Sequence, residues 1–365
     1  MRAGEALAVG FDGTTVPEDV AALAEEAGLG AVVLFARNCP TLEAVLGLTA
    51  ACRRLGPDML LLVDHEGGRV HRLPPPFTRF PAAAVIGRAG EPALAGAVAR
   101  AMGRELRAAG FDSGLSPVLD CLTNPQNSVI GDRAFAADPE IVAACGAAFV
   151  TGALETGLIP VAKHFPGHGR TAVDSHVALP VIDAPPEALE RAEFVPFRRA
   201  LAAGCPGVLV AHVRYPALDP AWPASLSAVV IGEHLRRRLG FTGLVLSDDL
   251  EMGAVAQTWG VAGAATRFLE AGGDPALVCS DARARGDAVA AIRAAAAAGR
   301  ISLHSAPIRR AALRALSARV GPPPGLDVIG CAEHRELAEE IARRAAGRPG
   351  PGGNPEGPTR PPPMS

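Results

Sequence analysis

Asp174 and His176 stand two residues apart, a spacing that in an extended stretch puts both side chains on one face. A carboxylate in that position holds the imidazole and raises its pKa, the combination a general acid or base requires. Just before them runs Lys163-His164-Phe165-Pro166-Gly167-His168-Gly169-Arg170, a loop crowded with glycines and ionisable groups and shaped for contact with a ligand. Asp248 and Asp249 are adjacent, so at a strand end they point to opposite sides and only one of them, the candidate nucleophile, faces inward. The other then accepts hydrogen bonds from the next helix or the rim. Arg72, Arg133 and Lys163 supply a field that keeps such a carboxylate ionised, and they can hydrogen-bond the hydroxyls and carbonyls of a substrate. Lys163 is the single lysine among 35 basic residues, a compact ammonium in a chain that otherwise uses arginine.

Eight short apolar, β-branched runs are available to position these groups, at 7–11, 31–35, 60–63, 113–119, 159–163, 207–211, 243–247 and 276–279. Stretches of helical periodicity lie between them, at 17–27, 41–55, 91–109, 139–156, 186–203 and 228–239. Alternation of this kind predicts an α/β fold, a single-domain (β/α)8 barrel of the TIM type, rather than an open doubly wound sheet. Gly260-Val261-Ala262-Gly263 is only half of a dinucleotide fingerprint. The polar groups fall at five predicted strand ends: Asp64 to Arg72 after the third, Asp120 with Arg133 after the fourth, Lys163-His164 at the fifth, His212 at the sixth and Asp248-Asp249 at the seventh. Each alone has a bland role, Asp64 or Asp120 as a helix cap, Arg133 in an ion pair, His212 as a buried hydrogen-bonding group. Five strand ends carrying them together point to one rim, where barrel enzymes assemble their sites. The barrel and a last helix are expected over 1–346, and the Gly- and Pro-rich stretch 347–365 is expected to be disordered.

With 365 residues, 49% hydrophobic and 20% charged, the chain can bury a large core, which excludes disorder of the whole. No apolar run approaches the roughly 20 residues that cross a bilayer. Met1-Arg2-Ala3-Gly4-Glu5 is neither the start of a secretory signal nor a lipidation site, so a cytoplasmic protein with no membrane partner is expected. A net charge of −3 with no basic cluster argues against nucleic acid. The seven cysteines are scattered, with no Cys-x-x-Cys pair, and read as reduced and mostly buried.

At Val63-Asp64-His65-Glu66-Gly67-Gly68-Arg69-Val70, Ile130-Gly131-Asp132-Arg133-Ala134-Phe135, the run from Lys163 to Gly169 with Asp174-Ser175-His176, and Gly243-Leu244-Val245-Leu246-Ser247-Asp248-Asp249-Leu250-Glu251-Met252, the sequence resembles the single-domain β-N-acetylhexosaminidases of glycoside hydrolase family 3, the NagZ type. The resemblance covers roughly 28–282; the stretch before Gly28 is a weaker match, and Gly272-Gly273-Asp274-Pro275-Ala276 departs from the pattern in its proline. It implies Asp248 as nucleophile, His176 as acid/base oriented by Asp174, and Asp64, Arg72, Arg133, Lys163 and His164 at sugar-binding positions. It further implies a retaining exo-hydrolase of terminal β-linked N-acetylglucosamine with no metal or organic cofactor. Its substrates would be small peptidoglycan fragments such as disaccharides ending in 1,6-anhydro-N-acetylmuramic acid, and a monomer is expected. Three alternatives stay open. A histidine acid/base repels phosphate less than a carboxylate would, which suits a phosphorylase; His164, His168, Asp174 and His176 could instead ligate a metal in a barrel hydrolase; or the barrel binds sugar without turnover.

Overall fold

The computed structural model describes residues 2–56 and 58–348. The expected disorder of 347–365 therefore lies outside the described residues, apart from 347 and 348. Among the described residues, seven parallel strands form the barrel wall: β1 (Leu7–Val9), β2 (Ala31–Leu34), β3 (Leu60–Val63), β4 (Val161–Phe165), β5 (Gly207–Val210), β6 (Leu244–Ser247) and β7 (Ala276–Val278). They run as two arcs, β3-β2-β1-β7 and β4-β5-β6. On one side, residues 113–119 join the arcs through the bridges Leu62–Ser113 and Val118–Lys163. On the other, the Leu277 N–H donates to Ser247 Oγ at 2.8 Å and Asp249 bridges to Leu277. The ring closes with eight positions, as a (β/α)8 barrel must.

Two departures from the expected strands have local causes. Residues 113–119 occupy the fourth position without becoming a regular strand, because Pro117 has no N–H to donate and Leu115 sits at a left-handed φ of 49°. The fifth wall position begins at Val161 rather than Ile159, since Pro160 interrupts the ladder, and it runs on through Phe165. Its register against β5 then jumps: Ala162 pairs with Val208, and Phe165 with Val210. Lys163 and His164 form a bulge opposite Leu209, and a bulge turns neighbouring side chains toward the same side.

Between the strands, helices form close to the expected bounds, for example Pro92–Ala108 and Pro139–Glu155, each started by a proline that needs no donor in the first turn. These two approach so closely that a Cβ on Gly152 would lie 2.2 Å from the Gly96 carbonyl oxygen. The expected helix over 186–203 is instead two, Pro186–Arg191 and Phe194–Ala202. Pro196 cannot donate to the Ala192 carbonyl, which accepts from Cys121 Sγ instead. Inside the wall Val33, Leu62, Leu209, Leu246 and Leu277 fill the barrel, while Val32, Leu61, Val63 and Val208 face the helices. Helix Ser305–Arg319 crosses toward the strand starts, where Leu313 joins the inner cluster and Arg310 Nη1 donates to the Glu5 carbonyl at 2.6 Å.

The last helix, Ala332–Ala346, is tied to the barrel through one buried carboxylate. Glu105 accepts from Thr78 N at 2.9 Å, Thr78 Oγ1 at 2.6 Å and Gly330 N at 3.1 Å, and it contacts His334 Nδ1 at 2.7 Å. Glu105→Ala would strand all of these groups in a dry site, and a loss of about 3–5 kcal/mol is expected. Urea denaturation checks it; an unchanged midpoint would show that Glu105 does not hold the helix.

Candidate active site

A cavity of about 320 Å³ opens at the strand ends, near the lower limit of the roughly 300–1,000 Å³ typical of ligand pockets. Asp64, Arg72, Arg133, Lys163, His164, His176 and Asp248 all line it. Asp174 does not; it stands behind His176 and reaches the cavity only through that ring.

The cavity wall is built on a charge cluster around Lys163, whose side chain is 3% exposed. Its Nζ lies 2.8 Å from Asp64 Oδ1 and 2.6 Å from Glu66 Oε1. Arg133 grips Glu66 through two parallel bonds of 2.8 and 2.7 Å, and Arg72 Nη2 donates to Asp64 at 3.0 Å. Burial works against the charges of Asp64, Glu66, Lys163 and Arg133, yet Lys163 with its arginine neighbours holds the Asp64 and Glu66 carboxyls below their usual range, and the two carboxylates push Lys163 up. The cluster is ionised throughout the neutral range.

His164 stands beside Lys163 on the bulge, with Nδ1 2.7 Å from Asp120 Oδ2 and Nε2 3.4 Å from Arg133 Nη2. Asp120 is fully buried; its other oxygen accepts the His168 N–H at 2.6 Å. Burial would raise the Asp120 carboxyl, but His164, His168 and that N–H bring it below the usual range. Glu66 and Asp120 were not among the residues expected to bind substrate, although Glu66 stands in a family motif and Asp120 at a strand end of the expected rim. Glu66 shares a face with Asp64 at a spacing of two, and Asp120 ends the fourth wall position.

Asp248 and Asp249 both line the cavity, contrary to the expected opposition of neighbours. The strand stops at Ser247, and alternation ends with it as the chain turns. Burial alone would raise the Asp248 carboxyl, but His164, His212, the Asp249 N–H at 2.9 Å and Lys163 together lower it, so it is a carboxylate at neutral pH. His212 does not line the cavity: Nε2 donates to the Asp249 carbonyl at 3.0 Å and Nδ1 meets Ser225 Oγ at 2.7 Å, which anchors the turn that carries both acids. Asp249 accepts the Glu251 N–H at 3.1 Å, as expected of the second acid, yet burial, aided by the charges of Glu251 and Asp248, pushes its carboxyl up to about 7.

Asp174 and His176 meet in a turn, not in the extended stretch expected. One oxygen, Asp174 Oδ1, accepts the His176 backbone N–H at 2.9 Å and lies 2.8 Å from His176 Nδ1. The His176 side chain is 67% exposed and lines the cavity, and among the described residues its ring is engaged at Nδ1 and not at Nε2. His168, the residue a metal site would have needed, has both ring nitrogens on hydroxyls, Thr171 Oγ1 at 2.9 Å and Ser175 Oγ at 3.1 Å, and His164 Nδ1 is taken by Asp120.

The raised Asp249 carboxyl has a consequence for stability. The folded protein keeps this proton where the unfolded chain, with an ordinary value of 3.8, has released it. The resulting stabilisation is complete below about pH 4 and is lost as pH rises through about 7. Asp249→Asn keeps an acceptor for the Glu251 N–H and cannot ionise, so its stability relative to the unaltered protein should rise between about pH 5 and about pH 8. Urea midpoints at the two pH values measure this, and a constant gap would contradict it.

Residues 5–318 match the Glycosyl hydrolase family 3 N terminal domain. The chain is 43% identical over 283 residues to a β-hexosaminidase of Alkalilimnicola ehrlichii, covering 75% of this chain and 80% of that protein. It is 43% identical over 254 residues to a β-hexosaminidase of Methylococcus capsulatus, covering 69% and 75%. Among solved structures, a family 3 β-N-acetylglucosaminidase from a Paenibacillus species superposes with a TM-score of 0.90 at 36% identity, over 94% of this chain and 68% of that one. NagZ from Neisseria gonorrhoeae, solved with N-trifluoroacetyl-D-glucosamine, superposes with a TM-score of 0.76 at 31% identity, over 93% and 97%. With a parallel barrel whose strand ends gather carboxylates, arginines and histidines into one cavity, the chain belongs to glycosyl hydrolase family 3 and is a glycoside hydrolase related to the β-hexosaminidases.

Proposed function

We propose that the protein is a retaining exo-β-N-acetylglucosaminidase, with Asp248 as nucleophile and His176, oriented by Asp174, as acid/base. The observation that carries the reading is that an ionised carboxylate and a carboxylate-held imidazole with a free Nε2 line one cavity. In the first step His176 Nε2 gives its proton to the glycosidic oxygen, the bond from that oxygen to the anomeric carbon breaks, and an Asp248 oxygen bonds to the anomeric carbon. In the second, neutral His176 takes a proton from water, the water oxygen bonds to the anomeric carbon, and Asp248 leaves as a carboxylate. Asp174 stabilises the imidazolium of each half-reaction. Asp64, Arg72, Arg133, Lys163 and His164 bind the sugar hydroxyls; Glu66 and Asp120 hold that set in place.

The β-hexosaminidase and NagZ names of the relatives support the acetamido sugar as the group removed. The cavity volume suits a single ring at the chain end, in keeping with an exo mode of action. Peptidoglycan fragments in the cytoplasm, disaccharides of N-acetylglucosamine on 1,6-anhydro-N-acetylmuramic acid with or without peptide, are the substrates we assign. The catalytic unit is residues 1–346, acting as a monomer, and no metal or organic cofactor takes part in the steps above.

Hydrolysis of aryl β-N-acetylglucosaminide and aryl β-glucoside, each with and without phosphate, tests the substrate. Selective cleavage of the acetamido sugar without phosphate is expected; a sugar phosphate formed only when phosphate is present would make the enzyme a phosphorylase, and no cleavage would leave a binding protein. Asp248→Asn should lower kcat by about 10⁴-fold or more at an unchanged thermal midpoint. Retained turnover would exclude Asp248 as nucleophile. His176→Ala should cost about 10²-fold or more in kcat/KM, which reports the first step, with a phenyl leaving group and far less with 2,4-dinitrophenyl, which departs without a proton. Equal losses would remove His176 from the chemistry.

A further inference from the structure

The turn that carries His176 rests on the segment that carries Asp248. The Gly253 N–H donates to the His176 carbonyl and the Ala254 N–H to the Ser175 carbonyl, each at 3.1 Å, and Gln257 Nε2 donates to the Val177 carbonyl at 3.2 Å. Gly253 lies five positions after Asp248, so the nucleophile and the docking point ride on one short stretch. That stretch is braced in turn, because Glu251 accepts the N–H groups of Cys279, Ser280 and Asp281 at 2.7, 2.6 and 2.7 Å. On its inner side the turn is held at Ser175 by His168, whose own N–H is on Asp120.

Little else fixes the turn. Val173 and Val177 are 45% and 67% exposed, so apolar burial contributes little and the hydrogen bonds from Gly253, Ala254 and Gln257 bear the placement. Gly253 also has no room for a side chain: a Cβ would lie 2.7 Å from the Val177 oxygen and 2.8 Å from the His176 oxygen, inside van der Waals contact. Its φ is outside the left-handed region, so the constraint is the nearness of the turn rather than backbone strain.

We propose that Gly253, seconded by Gln257, is a positioning residue for the acid/base: its bare backbone lets the 174–177 turn dock on the nucleophile segment and sets His176 relative to Asp248. This rests on His176 as acid/base. An added methyl group displaces the turn, since backbone oxygens cannot rotate away, and proton delivery suffers before sugar binding does.

Gly253→Ala, His176→Ala and the double variant, each assayed with phenyl and 2,4-dinitrophenyl β-N-acetylglucosaminides, test it. Gly253→Ala should lose about tenfold or more in kcat/KM on the phenyl substrate and less than about threefold on the dinitrophenyl one, and should add no further loss to His176→Ala. Equal losses on both substrates, additive loss in the double variant, or full activity would overturn the positioning role. If Gly253→Ala lowers the thermal midpoint, Gln257→Leu at an exposed position takes its place, with about a two- to threefold loss expected on the phenyl substrate alone; no such selectivity would overturn the role equally. Failure of the acid/base reading is separate: His176→Ala itself would then show no leaving-group dependence, and the positioning role would fall with it.

Discussion

Lys163 is a buried ammonium shared by two carboxylates, and the cavity takes its form from the need to keep all three charged. An unpaired charge in that setting would cost several kcal/mol, so Lys163, Asp64 and Glu66 cannot be placed independently. Arg133 and Arg72 complete the coordination of the two acids, one by a bidentate grip and one by a single bond. Three cations then face two carboxylates, and Lys163 adds to His164, His212 and the Asp249 N–H in lowering the Asp248 carboxyl against burial. The buried ammonium thus serves the charge cluster and also helps to keep Asp248 ionised.

The backbone reaches this arrangement by giving up regularity at selected places. A regular fifth strand would send Lys163 and His164 to opposite faces; the bulge opposite Leu209 brings both to the cavity. The fourth wall position is broken by Pro117 and Leu115, and Leu115 itself lines the cavity. At β6 the strand ends one residue before Asp248, so that a turn, anchored by His212 and braced by Glu251, presents both acids. The bulge at Lys163-His164 and the turn after β6 lie toward the strand ends, where side chains must be aimed.

The dyad follows the same economy. A single oxygen of Asp174 accepts both the backbone and the ring of His176, so the turn and the ring orientation are set by one group. The valines of the turn are exposed, and its seat is supplied by the segment that carries Asp248. Asp248 and His176 are thereby referred to the same short piece of chain, although they are 72 positions apart in the sequence.

What could be read from the sequence was local. Apolar runs of four to seven residues alternating with helical stretches specify the barrel, because periodicity and length are properties of neighbours along the chain, and the family motifs pick out Asp64, Arg133, Lys163, His164, Asp174, His176 and Asp248. Errors arose where a local rule met a distant partner. Asp248 and Asp249 share the cavity because the strand ends early, Glu66 matters because Lys163 and Arg133 arrive from other wall positions, and the helix over 186–203 divides because Pro196 frees a carbonyl that Cys121 can use. Residue types, spacing and element order were therefore determined by the sequence alone. Which charges pair, which way adjacent side chains point and what the His176 turn rests on were decided only by the closed barrel, since a buried charge takes its partner from whatever the fold brings within about 3 Å.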